Sequence, residues 1–256
     1  MAELQVHQFP CRSDNFGLLL RYGADGACVA VDAPETTTMR KALAETGWRL
    51  THILVTHHHG DHVEGNLEVK ADTGCTIIGP RREAAKIPGI EGEIGGGERL
   101  KLGAFTFDVL DTPGHTLGHI SYWIPEAKIA CVADTLFSLG CGRIIEGDAK
   151  MMWASLQKLM ALPPETSFHC GHEYTEANAR FALTIEPGNA ALVVRAAEVT
   201  TLRAAGKPTL PATIGAELAA NPFLRPHSPE IRQRLNMAEA PDWEVFAEIR
   251  ERKNKA

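Results

Sequence analysis

Over the first two thirds of the chain, apolar residues come in short runs broken by Gly, Asp, Asn and Pro, the pattern of buried strands joined by turns. The runs predict strands at Asn15 to Tyr22, Ala27 to Val31, Thr51 to Thr56, Cys75 to Gly79, Phe105 to Leu110, Ile120 to Ile124, Ala127 to Ala133 and Thr166 to Cys170. Helical spacing appears in only two places here. Thr37 to Thr46 carries Met39 and Leu43 on one face, and Asp148 to Leu162 repeats Met151, Met152, Leu156, Leu159 and Met160 before stopping at Pro163 and Pro164. Hairpin-like strand pairs with occasional helices predict two packed sheets with helices outside, rather than a regular strand–helix alternation building a parallel sheet.

Beyond Tyr174 the period changes. Glu173 to Gly206 is rich in Ala, Glu, Arg and Leu at helical spacing, and shorter helical stretches follow at Thr213 to Ala219, Pro229 to Leu235 and Asp242 to Lys253, punctuated by prolines. The expected organisation is a mixed α and β unit over 1–174 and a small all-helical unit over 175–256. The charged ending Arg250 to Lys255 reads as a solvated terminus.

The 256 residues are enough for a sizeable core, and 44% hydrophobic with 23% charged residues is an ordinary globular balance. A formal charge of −6 disfavours nucleic acid as a partner, and no run is long and apolar enough to suggest a membrane span. Residues 1–16 lack a secretory pattern, and the six cysteines form no C-x-x-C pair, so a reducing compartment, the cytoplasm, is expected. No apolar stripe calls for an obligate partner, so a monomer is expected.

The densest chemistry is Thr56 to His62, THHHGDH, where an apolar strand ends. In extended chain His57 and His59 share a side and His58 points away, while a helix starting at Gly60 brings His62 beside His59. Neutral imidazoles with a carboxylate suit zinc, iron or manganese better than calcium. One open catalytic metal takes about three protein ligands, so His57, His59, Asp61 and His62, joined by His115, Asp134 and His172, provide for two divalent ions. Each later candidate follows an apolar strand, in DTPGHT, ADT and CGH.

THHHGDH at 56–62, GHTLGHI at 114–120, ADTLF with GCGR at 133–143, GHEYT at 171–175 and the basic IRERK at 249–253 resemble the metallo-β-lactamase superfamily and, within it, the glyoxalase II or hydroxyacylglutathione hydrolase family. The resemblance covers nearly the whole chain. It implies an αββα sandwich followed by a small all-helical C-terminal domain, with His57, His59 and His115 on one metal, Asp61, His62 and His172 on the second, and Asp134 bridging. It also implies that Arg143, Tyr174, Arg250 and Lys253 contact glutathione. Where the family pattern places a tyrosine two residues after the basic residue of GCGR, this chain has Ile145.

The reaction implied is hydrolysis of an S-2-hydroxyacylglutathione such as S-D-lactoylglutathione, the second step of methylglyoxal detoxification. Asp61 and Asp134 act catalytically in that reading, Asp61 by orienting the nucleophilic water. A thiol leaves readily because its pKa is near 8.5, so no proton donor is required. The main alternative is a glutathione persulfide dioxygenase with one iron, which uses a similar histidine segment. His119 is either a donor that fixes a ligand or a packed side chain. Asp32, at the end of a buried strand in VDAP, either supports a ligand or, more ordinarily, forms a turn, and is left structural. His7, His52, His58, His169, His227, Cys141 and Cys170 are given no role.

Overall fold

The computed structural model describes residues 4–23 and 26–256, which divide into two compact units. One takes the chain up to Asp111 together with Gly118–Val132; the other takes Thr112–Leu117 and everything from Ala133 onward.

The first unit contains β1 (Leu4–Cys11), β2 (Asn15–Tyr22), β3 (Cys28–Val31), α1 (Thr36–Thr46), β4 (Leu50–Leu54), α2 (Gly60–Val63), α3 (Asn66–Thr73), β5 (Thr76–Pro80), β6 (Gly92–Ile94), β7 (Arg99–Leu102), β8 (Phe105–Asp111), β9 (Ile120–Ile124) and β10 (Ile129–Ala133). Strands β1 to β6 form one sheet in sequence order, and β7 to β10 pair successively in a second. The antiparallel hairpin pattern expected from sequence holds for β1–β2–β3 and for β7 to β10. It fails for β3 to β6, which are parallel. The reason is mechanical: α1 carries the chain from β3 back to the start of β4, and α2 with α3 does so from β4 to β5, and a strand re-entering at that end must run parallel.

Strand alternation divides the apolar residues between two layers. Leu18, Leu20, Val29, Val31 and Leu54 face the second sheet and pack with Phe105, Phe107, Val109, Ile120 and Tyr122. Leu19, Cys28, Ala30, Ile53, Val55 and Ile77 face the other way, onto Met39 and Ala42 of α1 and Val69 of α3. Buried Tyr122 also donates its hydroxyl to the Val55 carbonyl at 2.8 Å, which ties the second sheet to the segment leaving β4.

The second unit contains the short hairpin β11 (Leu136–Phe137) and β12 (Gly140–Cys141), α4 (Ala149–Met160), β13 (Ser167–Cys170), α5 (Thr175–Ile185), α6 (Ala190–Ala204), β14 (Ala212–Thr213), α7 (Ile214–Ala220), α8 (Pro229–Leu235) and α9 (Asp242–Asn254). The stretch expected to be helical from Glu173 to Gly206 is two helices, because Pro187 and Gly188 cannot continue α5 and Asn189 caps α6 by accepting from Ala191 and Leu192 N–H. Small residues let α5, α6 and α7 approach closely through Ala179, Ala182, Ala196 and Ala220. The helix expected at Asp242 to Lys253 is α9, and its charged ending is largely solvated as expected except at Arg250, which is only 7% exposed.

One carboxylate organises this unit's hairpin. Glu217, 1% exposed, accepts from Ser138 Oγ at 2.8 Å, Leu139 N–H at 2.7 Å and Asn221 Nδ2 at 2.9 Å, and Asn221 also donates to the Phe137 and Gly140 carbonyls. Burial pushes the Glu217 carboxyl above the ordinary carboxylate range, against the lowering effect of those donors and of Arg195. A raised native pKa means the folded chain holds its proton longer than the unfolded one. The associated stability is therefore complete below the ordinary carboxylate pKa and is lost as pH climbs through the raised one. Thermal unfolding of Glu217→Gln beside the wild-type chain should show this: the variant loses that part of the pH dependence, and two parallel pH profiles would contradict it.

Candidate metal centre

In the first unit, the segment after β4 stays extended to His59 and then turns into α2, so the expected spacing is realised. Its hydrogen bonds fix the proton positions. Asp32 accepts from Thr56 N–H at 2.8 Å through Oδ1, and through Oδ2 from Thr56 Oγ1 at 2.8 Å and His62 Nδ1 at 2.8 Å. A carboxylate only accepts, so His62 carries its proton on Nδ1 and presents a lone pair at Nε2. The Thr56 hydroxyl has spent its one proton on Asp32, so it accepts from His57 Nδ1 at 3.0 Å, and His57 also presents its lone pair at Nε2. That atom lies 3.2 Å from His59 Nδ1. His62 Nε2 lies 3.7 Å from Asp61 Oδ2.

Of the two readings of Asp32, support of a ligand rather than the more ordinary turn is the one its hydrogen bonds match. Asp32 adopts φ 59°, a conformation that Asp tolerates better than most residues, and from there one buried carboxylate orients two imidazoles. Two other side chains also acquire roles. His58 points away from the ligand side and is clamped by buried Glu83, which accepts from His58 N–H and binds its Nδ1, both at 2.8 Å, and accepts from Gly118 N–H at 2.8 Å. His119 stacks on His57 with ring centroids 4.9 Å apart, so it buttresses that ring by packing. Strand-end Asp32 carried a weak signal in VDAP; Glu83 carried none, because only a 3₁₀ turn over Arg81–Lys86 delivers it.

In the second unit, His115 Nδ1 donates to the Arg143 carbonyl at 2.7 Å, which leaves Nε2 as its lone pair. That Nε2 stands 3.3 Å from Asp134 Oδ2, and His172 Nε2 stands 3.4 Å from the same oxygen. Two glycines permit the arrangement. A side chain at Gly142 would bring a Cβ within 1.8 Å of the Asp134 carbonyl, and one at Gly114, at φ 142°, within 2.8 Å of the Met152 backbone on α4. Each closes the loop that carries a candidate ligand.

These separations fit a metal. Two ligands on a tetrahedral zinc with bonds of about 2.0 to 2.2 Å stand about 3.3 to 3.6 Å apart. The His57–His59, His115–Asp134 and His172–Asp134 donor pairs fall at or near that edge length. A lone pair fixed by Nδ1–H and aimed at a carboxylate oxygen is repulsive until a cation stands between them, and the donor set of imidazole and carboxylate suits a divalent transition metal.

The expected substrate contacts fall into two groups. Tyr174 stacks on the His172 ring with centroids 4.7 Å apart and planes 2° from parallel, and Arg143 fixes His115 through its backbone while its side chain is exposed. Arg250 and Lys253 are both on α9. Arg250 Nη1 donates to the Cys141 carbonyl at 2.9 Å and lies over Phe223, and Lys253 Nζ donates to the Ala177 carbonyl at 3.2 Å and lies over Phe181. Burial, with help from Arg250 and Arg180, lowers the Lys253 pKa. Ile145 is 55% exposed.

The comparisons follow the same lines. Residues 25–172 match the metallo-beta-lactamase superfamily model, and 173–256 match the hydroxyacylglutathione hydrolase C-terminus. A solved B3 metallo-beta-lactamase, BLEG-1, shares the fold at TM-score 0.68 and 22% identity, covering 86% of this chain and 100% of that one. ETHE1 from Myxococcus xanthus aligns at TM-score 0.70 and 25% identity, covering 98% and 91%. The chain is a metallo-β-lactamase superfamily protein, an αββα sandwich followed by a helical C-terminal part, and its histidine and aspartate clusters suit a divalent metal. Hydroxyacylglutathione hydrolases from Chelativorans sp. (strain BNC1) and Rhizobium meliloti (strain 1021) are each 53% identical to this chain, over 98% and 99% of both partners respectively. The chain belongs to the hydroxyacylglutathione hydrolase family, and the persulfide dioxygenase alternative is not favoured.

Proposed function

We propose that the protein hydrolyses S-2-hydroxyacylglutathione thioesters such as S-D-lactoylglutathione to a 2-hydroxy acid and glutathione, as the second step of methylglyoxal detoxification. The observation that carries the metal-dependent part is the set of imidazoles at His57, His62 and His115 whose Nδ1 protons are committed to protein acceptors, which leaves every Nε2 as a donor. Following the family pattern, His57, His59 and His115 hold one divalent ion, Asp61, His62 and His172 hold another, and Asp134 is shared between them. Zinc suits these donors best, with iron or manganese also compatible.

Divalent ions held there supply a water pKa lowered from 15.7 towards about 7 and charge to polarise a carbonyl. The chain does the rest. Asp61 orients the attacking water, and Asp134 completes both ligand sets. Tyr174, braced on His172, offers its hydroxyl to the thiol-bearing peptide, and the exposed Arg143 guanidinium meets one of its carboxylates. Lys253 and Arg250 complete the recognition from α9, Arg250 also by holding the Cys141 carbonyl two residues before Arg143. We place the boundary between metal-binding and substrate-binding domains at 174/175. The six free, buried cysteines support a reducing compartment such as the cytoplasm, and we take the protein to be a monomer acting on a small anionic thioester, with no nucleic acid or membrane as partner.

The test is hydrolysis of S-D-lactoylglutathione by purified protein, with metal content on the same sample and oxygen uptake followed with glutathione persulfide. Thioester loss with about two ions per chain is expected. A single iron with oxygen uptake and no thioester loss would overturn the reading.

A further inference from the structure

We propose that Asn15 is a positioning residue that sets the metal affinity of the Asp61 and His62 donor pair. The proposal deepens the metal-dependent reading above and rests on it. Asn15 is 4% exposed and opens β2, paired across the hairpin with Cys11. Its Nδ2 donates to both the backbone carbonyl and the Oδ2 of Asp61, each at 3.1 Å. Both targets only accept, so the amide has one usable orientation, with its NH₂ toward Asp61.

The bonded Oδ2 is also the Asp61 oxygen nearest to His62 Nε2, at 3.7 Å. Asn15 therefore fixes at once the backbone on which α2 begins and the carboxylate rotamer that aims Oδ2 beside the His62 donor. Without it, the Asp61 carboxylate, about one third exposed, loses a bond that holds the oxygen beside His62 in place.

The amide is held firmly enough to do this. The turn between β1 and β2 is pinned to the rest of the unit by Arg12, whose backbone N–H donates to Glu35 at 3.3 Å and whose guanidinium donates to the Pro34 carbonyl at 3.3 Å and pairs with Glu64. Thr38 Oγ1 donates to Cys11 Sγ at 3.3 Å. Asp32 and Asn15 thus act on the two members of one donor pair from opposite sequence neighbours, Asp32 locking the His62 tautomer and Asn15 the Asp61 rotamer.

The experiment is competition between the protein and a chromophoric chelator for zinc, with metal-free thermal melts alongside. Asn15→Ala is expected to bind one of its ions about 10- to 100-fold more weakly. Asn15→Asp keeps the shape but has no donor and faces carboxylate with carboxylate, so its loss should be at least as large. A merely structural role would not produce that order, since the isosteric variant should then be the milder one. Thr38→Val, which removes a bond from the same turn without touching Asp61, should bind zinc as the wild-type chain does, and His62→Ala shows that the assay detects loss of a donor. Wild-type affinity in both Asn15 variants overturns the proposal. Should Asn15→Ala fail to fold, the isosteric Asn15→Asp against Thr38→Val decides it. Because zinc binding is read without substrate, a chain that hydrolyses no thioester would sink the proposed function and leave this result standing.

Discussion

Replacing Asp134 by Asn is expected to lower kcat for thioester hydrolysis by about 10²- to 10³-fold, the usual cost of removing one fixed electrostatic group from a reacting centre. The substitution keeps the volume and removes the charge. In the native arrangement Asp134 Oδ2 faces His115 Nε2 at 3.3 Å and His172 Nε2 at 3.4 Å, in a side chain that is almost fully buried. An amide can turn either its oxygen or its NH₂ to those nitrogens. Its NH₂ would donate to a lone pair that a metal needs, and its oxygen carries no net charge to share between two ions. Metal content should therefore fall together with kcat. Full metal occupancy and unchanged kcat in Asp134→Asn would remove Asp134 from the ligand set.

The second large effect concerns Asp32, and two substitutions separate its two duties. Asp32→Ala strips acceptors from Thr56 N–H, Thr56 Oγ1 and His62 Nδ1 and places Ala at φ 59°. Each buried donor left unsatisfied costs about 1 to 3 kcal/mol, and left-handed backbone adds about 1 to 2 kcal/mol for a residue with a Cβ and no local hydrogen bond. This variant should be strongly destabilised, measured by denaturant unfolding of the metal-free chain. Asp32→Asn tolerates the same backbone and can still accept from Thr56 N–H. Its NH₂, however, meets the Thr56 hydroxyl and His62 Nδ1, which drives the His62 proton to Nε2 and removes that nitrogen as a donor. Zinc affinity should drop about 10- to 100-fold in a chain that is still well folded. If Asp32→Asn binds zinc like the wild type, the tautomer argument is wrong.

What could be read early was what is local. The spacing of His57, His59, Asp61 and His62 follows from the parity of an extended segment and the first turn of a helix, both set by residues within a few positions of one another. For the same reason strands Asn15–Tyr22 and Ile120–Ile124 and helix Pro229–Leu235 have the bounds that their patterns predict. Strand Leu4–Cys11 was not legible, because at a sheet edge its side chains are mostly part-exposed and polar residues interrupt the apolar ones. Arg99–Leu102, with alternating exposed charges, hides for the same reason.

The donor types, their local grouping, the strand-rich beginning and the helical end are written in short-range patterns along the chain. Tertiary structure alone decided that β3 to β6 run parallel, that Asp32 and Glu83 serve the histidine segment, and that Arg250 is buried against the Cys141 carbonyl. A period along the chain records which face a residue turns inward. It carries no record of which distant polar group meets it there, since that depends on crossover direction and on hydrogen bonds between residues as far apart as Cys141 and Arg250.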